Sequence, residues 1–240
     1  GGYINAFYLI LIGFLYNKFT IQHKNKILLL SIFFLFVIFL TGERSNTIKA
    51  FLGIILFYTF FKEYKLKYKI TYIIVGLIFF ISIILNSQYF KLRYVKQVKS
   101  LLTQKTIYFD IYKSGYQVFK NNKFFGVGNK NYRVETCTKL DKTNTLTNKY
   151  ICNTHPHQIY IELLSEHGLF GSIFILFIFY KLIFSKIINN LNRINYTQIG
   201  SFIYISLIFT PLIPSGAFFN DYAITLFGLN IAVFYAANPE

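Results

Sequence analysis

The chain has no methionine, only two cysteines, and nine acidic residues against 25 lysines and arginines in 240 positions. Two cysteines without a CxxC pattern exclude a cysteine metal cage, leaving either apolar fillers or one disulfide on an oxidising side. The missing methionine, with a start "GGYINAF" already at the edge of an apolar run, marks an expected C-terminal part of a longer protein with no signal peptide in view. The shortage of acid leaves a net charge of +16. A nucleic-acid partner is nevertheless not expected, because no basic helix or RNP-like strand accompanies the charge and the lysines lie between apolar runs. Of the 25 basic residues 21 are lysine, alongside abundant Ile, Asn, Phe and Tyr, a bias that an A/T-rich genome produces unaided. Arginine is scarce: Arg44, Arg93, Arg133 and Arg193. Where lysine is the default cation, an arginine hints at a need for the planar, bidentate guanidinium.

Apolar residues make up 54% of the chain and aromatics 20%, with a mean hydropathy of +0.45. They gather into runs at 3–16, 27–40, 47–61, 70–85, 159–184, 199–213 and 222–236. That is the profile of an all-α polytopic membrane protein with about seven transmembrane helices. Several runs are shorter than the ~20 residues that span a bilayer core, so flanking Lys and Tyr must snorkel or the turns must dip inward. The loops 17–26, 62–69 and 181–197 carry three Lys, four Lys, and two Lys with one Arg, whereas "TGERSN" and "PSGAFFND" share one basic residue. The positive-inside rule places the Lys-rich loops in the cytoplasm and the others outside. The expected organisation is four spans with the TGERSN turn over 1–86, a large extracytoplasmic loop over 87–158, and three spans over 159–240. The loop holds 13 basic and 3 acidic residues, net +10, suited to anionic headgroups or a diphosphate. It opens with a helix expected over 105–121, followed by "FFGVGNKNYR" (124–133), a glycine turn whose lone GxG does not make a phosphate loop.

Two stretches carry chemistry. The runs flanking TGERSN are about 21 and 22 Å long as helix, against a hydrocarbon core of ~30 Å. Arg44 is therefore held near headgroup depth, where an unpaired cation is costly and usually functional. Gly42 permits a tight turn, and Ser45 or Asn46 can cap the next helix, whose N–H groups favour an anion. The bland alternative is an anchor to phospholipid or a pair with Glu43. In "CNTHPHQIYIEL" (152–163), Pro156 suits the first turn of a helix, with Thr154 or His155 as cap and His157 in that turn. The positive helix end and any nearby arginine depress its pKa from ~6.5, leaving the neutral imidazole a general base needs. The bland alternative is an interfacial capping histidine. Gln158, Glu162 and Glu166 form a polar stripe that can orient His157 or bind sugar hydroxyls, and "GLFG" (168–171) thins the helix for close packing.

Together, "GGYI" entering a helix, "LTGERSN" between short spans, "FFGVGNKNYR" in a large loop and "CNTHPHQIYIELLSEHGLFG" re-entering the membrane resemble the O-antigen ligase and O-antigen polymerase family of bacterial inner-membrane glycosyltransferases. The resemblance implies a GT-C-like fold, a periplasmic large loop and no cofactor or metal. It implies metal-independent, inverting transfer of an oligosaccharide from undecaprenyl diphosphate to an acceptor hydroxyl on a glycan or lipid A core. By position, Arg44 would bind the diphosphate and His157 would deprotonate the acceptor. Arg93, Lys105 or Arg133 would make a second diphosphate contact, with Glu162, Glu166 and His155 in support. Cys137 before "CNTHPH", with Cys152 within it, resembles a branch in which two cysteines flank the loop; paired, they close a ring of ~15 residues, a stabilisation of roughly 3 kcal/mol. Tyr108, Phe109 and Tyr112 stand where the family commonly has an arginine, and Gln158 replaces a more usual Asn. Polymerase is favoured over ligase on overall resemblance. A transporter or flippase would need ionisable residues or broken helices at mid-membrane, of which the runs hold almost none. A structural subunit binding a partner through the basic loop would make Arg44 and His157 dispensable.

Overall fold

The computed structural model describes residues 1–19, 24–60, 66–103, 107–142, 150–190, 194–211 and 213–237, and among these it contains helices and turns but no strand. Four long helices come first: α1 (Gly2–Lys18), α2 (Lys24–Leu40), α3 (Arg44–Phe60) and α4 (Leu66–Asn86). The short α5 (Gln88–Phe90), a π-helical stretch Lys91–Lys96 and α6 (Gln97–Leu102) follow. Next come α7 (Ile107–Asn121), α8 (Tyr132–Lys142) and α9 (Ile159–Phe179), which continues through a π-helical stretch Tyr180–Phe184 into α10 (Ser185–Asn190). The chain ends with α11 (Tyr196–Ile208) and α12 (Asp221–Ala236).

Helices thus occupy all seven oily runs, but length separates them. Among the described residues one helix, the 30-residue Ile159–Ile188, is long and apolar enough to cross a bilayer unaided. Ile73–Asn86 and Gln88–Lys96 qualify only as a pair bent by 102°. The 17 residues of each of α1, α2 and α3 give about 25 Å of helix, short of a ~30 Å core.

The chain forms two compact units. The first comprises Gly1–Ser100, Asn192–Leu207 and Gly228–Glu240. Its core is built by Tyr8, Leu9 and Ile12 of α1, Ile38 and Phe39 of α2, Phe57 of α3 and Ile203 of α11. Inside this oil runs a chain of hydroxyls, with Tyr58 Oη 3.1 Å from Tyr16 Oη and 3.0 Å from Ser31 Oγ, which donates to the Ile27 carbonyl. Tyr8 Oη also donates to the Ala50 carbonyl at 2.6 Å.

The second unit comprises Leu101–Leu191 and Ile208–Phe227. Here α7 is amphipathic and buries Ile111, Ser114 and Val118, and α9 packs against it. Gly168 adopts φ +64° and breaks α9, so "GLFG" interrupts the helix rather than thinning it, and the expectation of unbroken runs is corrected at this point. The freed backbone pairs with the glycine turn: Val127 N donates to Ser165 O (3.0 Å), Gly128 N to Glu166 O (2.8 Å) and Leu169 N to Lys123 O (2.8 Å). A Cβ on Gly126 would strike the Glu166 carbonyl, and one on Gly168 the Phe124 carbonyl. Both glycines have positive φ, a conformation that glycine adopts without steric cost. "FGVG" and "HGLFG" are the two halves of one backbone joint. A disulfide between Cys137 and Cys152 ties α8 to the segment that leads into α9.

Candidate functional site

The arginine cluster belongs to the first unit. Thr41, Gly42 (φ +70°) and Glu43 turn the chain from α2 into α3, with Gly42 N donating to the Phe39 carbonyl at 3.0 Å. Because α3 begins at Arg44, Ser45 and Asn46 fall inside its first turn and not at its cap. Asn46 Nδ2 instead donates to the Glu43 carboxylate, and Arg44 has no carboxylate partner among the described residues. The π-helical stretch supplies a second guanidinium. Tyr94 Oη donates to the Phe39 carbonyl (3.1 Å) and meets Thr47 Oγ1 (2.9 Å), while Tyr89 Oη would lie 2.5 Å from a Cβ on Gly42. Arg93 directly precedes Tyr94, and Arg44 opens the helix that carries Thr47, so the two arginines belong to the segments that meet at the Tyr94 hydroxyl. Arg93 Nε is buried with no hydrogen-bond partner among the described residues. Two half-buried guanidinium groups without a carboxylate partner among the described residues can each receive an anion bidentately.

The histidine cluster belongs to the second unit. His157 adopts φ +55° and precedes α9, whose cap is Gln158: its side chain accepts from Ile161 N at 2.9 Å. The expectation that His157 lies in the first helical turn under a Thr154 or His155 cap is corrected accordingly. A left-handed residue before the cap turns the imidazole away from the helix toward "PSGAFFND". There Ser215 N donates to the His157 carbonyl (2.8 Å) and the Ser215 carbonyl lies 3.3 Å from His157 Nδ1. A carbonyl at Nδ1 selects the tautomer with its proton there, which leaves the Nε2 lone pair free. Tyr108 of α7 stands edge-on to His157, with ring centroids 5.5 Å apart, and His155 lies beside it at 4.0 Å. Burial lowers the His157 pKa, against the raising effect of the Ser215 carbonyl. Burial and the neighbouring His157 lower that of His155 to about 4, against the same carbonyl. The cause is desolvation rather than the helix end or an arginine. His155 Nδ1 lies 2.9 Å from Thr154 Oγ1, and its Nε2 is buried without a partner among the described residues.

Glu162 and Glu166 face neither His157 nor open space. Glu162, 1% exposed, receives Phe218 N on both oxygens at 2.9 and 3.0 Å. Glu166 receives Lys130 N at 3.0 Å. Backbone N–H groups from distant turns satisfy these carboxylates, so the stripe is a pair of clamps. Glu162 pins the 213–220 turn whose Ser215 holds His157. Arg133 is exposed on α8, and Lys105 and Arg193 lie outside the described residues. Ser215 and Tyr108 as neighbours of His157, and Phe218 as the partner of Glu162, escape the motif reading. Pro214 and Gly216 mark a turn in the sequence, but nothing local shows that it folds back across 58 residues.

A family model described as O-antigen ligase matches residues 29–178. No curated protein and no solved structure matches the chain.

Proposed function

Since the chain belongs to the O-antigen ligase family, a family of membrane proteins, we propose that it transfers a glycan from a polyprenyl diphosphate to an acceptor sugar hydroxyl. His157 is the general base and Arg44 with Arg93 receives the diphosphate. His157 Nε2 takes the acceptor O–H proton while the oxygen attacks the anomeric carbon, and the bond from that carbon to the diphosphate oxygen breaks. A single displacement of this kind inverts the anomeric centre. The departing polyprenyl diphosphate carries the charge that develops, and preorganised guanidinium groups stabilise it. The observation that carries this reading is the Ser215 carbonyl at His157 Nδ1, which leaves the other nitrogen ready to accept a proton.

The proposal takes Arg93 as the second diphosphate contact, because its neighbour Tyr94 bonds the Phe39 carbonyl and Thr47 Oγ1 on either side of the turn that leads into Arg44. The Cys137–Cys152 disulfide suits an oxidising compartment, so the 87–158 segment faces the periplasm and the other helices fill the membrane. The acceptor is another lipid-linked repeat, making the protein a polymerase, with the lipid A core as the ligase alternative. A transporter reading draws on the Gly168 break, but Glu162 and Glu166 there are engaged by backbone N–H groups and are not free to carry an ion.

The test is complementation with the intact protein carrying His157→Ala or Arg44→Ala, scored for glycan chain length and for glycan joined to core. Both variants are expected to lose activity. If both match wild type at equal expression the mechanism fails, and lost chain length with retained core capping identifies a polymerase.

A further inference from the structure

We propose that the Phe124–Phe125 tip of the glycine turn is seated in the bilayer, in the leaflet on the side of the Cys137–Cys152 disulfide. The starting point is a mismatch of length. Ile159–Ile188 has 30 residues, about 45 Å of helix, where a ~30 Å core needs about 20. The change of lining shows which residues are in excess. Before Gly168, α9 buries Glu162, Ser165 and Glu166 against protein; after it, Phe170, Ile173, Phe174 and Phe177 are exposed. The exposed apolar face therefore starts at the Gly168 break and runs toward Lys181 and Lys186, whose long side chains reach the opposite headgroups, and the outer boundary of the hydrocarbon falls at that break.

The glycine turn docks at that level. Phe124 stacks on Phe170 with ring centroids 5.7 Å apart at 24°, and Phe125 lies 5.7 Å from the same ring. Phe125 is 78% exposed, Phe124 58% and Phe170 55%, so the three rings extend the apolar face of α9 sideways. They cannot fold away, because the turn is fixed by hydrogen bonds to residues 165–170 and by the close approach of Gly126 and Gly168. Lys120 and Lys123 are exposed just before the two phenylalanines. Aromatic rings at the boundary with lysines beside them match a leaflet with anionic headgroups. A rigid apolar tip continuous with a lipid-facing helix fits acyl chains better than water.

These 240 residues contain no tryptophan, so Phe125→Trp introduces a local reporter, with Phe124→Trp as a second should the first disturb folding. Val134→Trp, at an exposed position on the polar α8, sets the response of a water-facing ring. The whole protein is placed in nanodiscs of phosphatidylethanolamine and phosphatidylglycerol, with bromine on the acyl chains or iodide in the buffer. The tip reporter is expected to lose most of its emission to brominated lipid and little to iodide. Quenching by iodide to the extent seen at Val134 overturns the proposal. Shielding from both quenchers also overturns it, because protein would then cover the tip.

Discussion

The two clusters differ in what their surroundings leave undone. In the first unit, Arg44 and Arg93 have no carboxylate partner among the described residues, while nearby Thr47 and Tyr94 bond backbone carbonyls and one another and Asn46 bonds the Glu43 carboxylate. In the second unit every carboxylate of the α9 stripe is consumed in holding loops, and the imidazole left over is desolvated and kept neutral. In the proposed mechanism one region supplies positive charge for an anion and the other a lone pair for a proton. A static charge tolerates some freedom of the side chain, whereas a base needs a fixed tautomer; long-range hydrogen bonds accordingly reach the imidazole of His157 itself, whereas beside the arginines they run through Tyr94 to Phe39 and Thr47 and not through a guanidinium.

The comparison breaks most readily at His157. His157→Ala is expected to reduce turnover by about 10²–10⁴-fold, the usual contribution of a general base, with donor affinity unchanged in a binding assay. Arg44→Ala should act on the other side, lowering kcat/KM by about 10–100-fold through the loss of charged hydrogen bonds of roughly 1.5–3 kcal/mol. Arg93→Ala should follow it and Arg133→Ala should not; equal losses at 93 and 133 in the same assay would dissolve the proposed pair. Glu162→Ala leaves Phe218 N buried and unpaired, a cost of about 1–3 kcal/mol that thermal unfolding in detergent can register.

The same variant also sharpens the electrostatic contrast. The Ser215 carbonyl raises the His157 pKa, so loosening its turn should lower that pKa and move the acid limb of the pH–rate profile to lower pH. In the unaltered protein the lowered pKa keeps His157 neutral below its ordinary ~6.5. Activity should therefore persist as pH drops past that value and fall only at more acidic pH; a limb at or above 6.5 would contradict the burial. His155 gives a matching stability effect. Its folded pKa of about 4 lies below the unfolded value, so its contribution is fully present above ~6.5 and is lost as pH falls toward 4. The smallest effect on activity is expected from Cys137→Ser with Cys152→Ser, which should cost about 3 kcal/mol of stability for a ring of this size and leave the response to Arg44→Ala unaltered.

Much of this was legible in local signals. The oily runs become helices, the TGERSN turn sits between two short ones, and the family follows from four motifs in order. The histidine region was less so, because its geometry is set by partners at long range. Pro156 suggests a helix start, yet the start moves to Ile159 once Gln158 caps it and His157 turns left-handed. Glu162 and Glu166 at i+4 spacing look like an exposed stripe until Phe218 N and Lys130 N, 56 and 36 residues away, are found on them. Gly168 looks like a packing glycine, because an interior break is visible only when the "FGVG" backbone that fills it is present. Sequence spacing does not single out Arg93 among the residues proposed for a second diphosphate contact; what favours it is the fold of the π-helical stretch, which carries the adjacent Tyr94 to Phe39 and Thr47 beside the TGERSN turn.

The hydroxyl chain through Tyr16, Tyr58 and Ser31 has a consequence for how the first unit finds its arrangement. A helix that is oily on every side carries no stripe to say which face turns inward, so α1, α2 and α3 have many rotations of nearly equal merit about their own axes. Hydroxyls meeting within 3.0–3.1 Å penalise every rotation but one, since a turned helix strands them in an apolar medium. Tyr58→Phe should accordingly keep the helices and their mass of contacts while loosening their choice of rotation, seen as broadened signals rather than as unfolding.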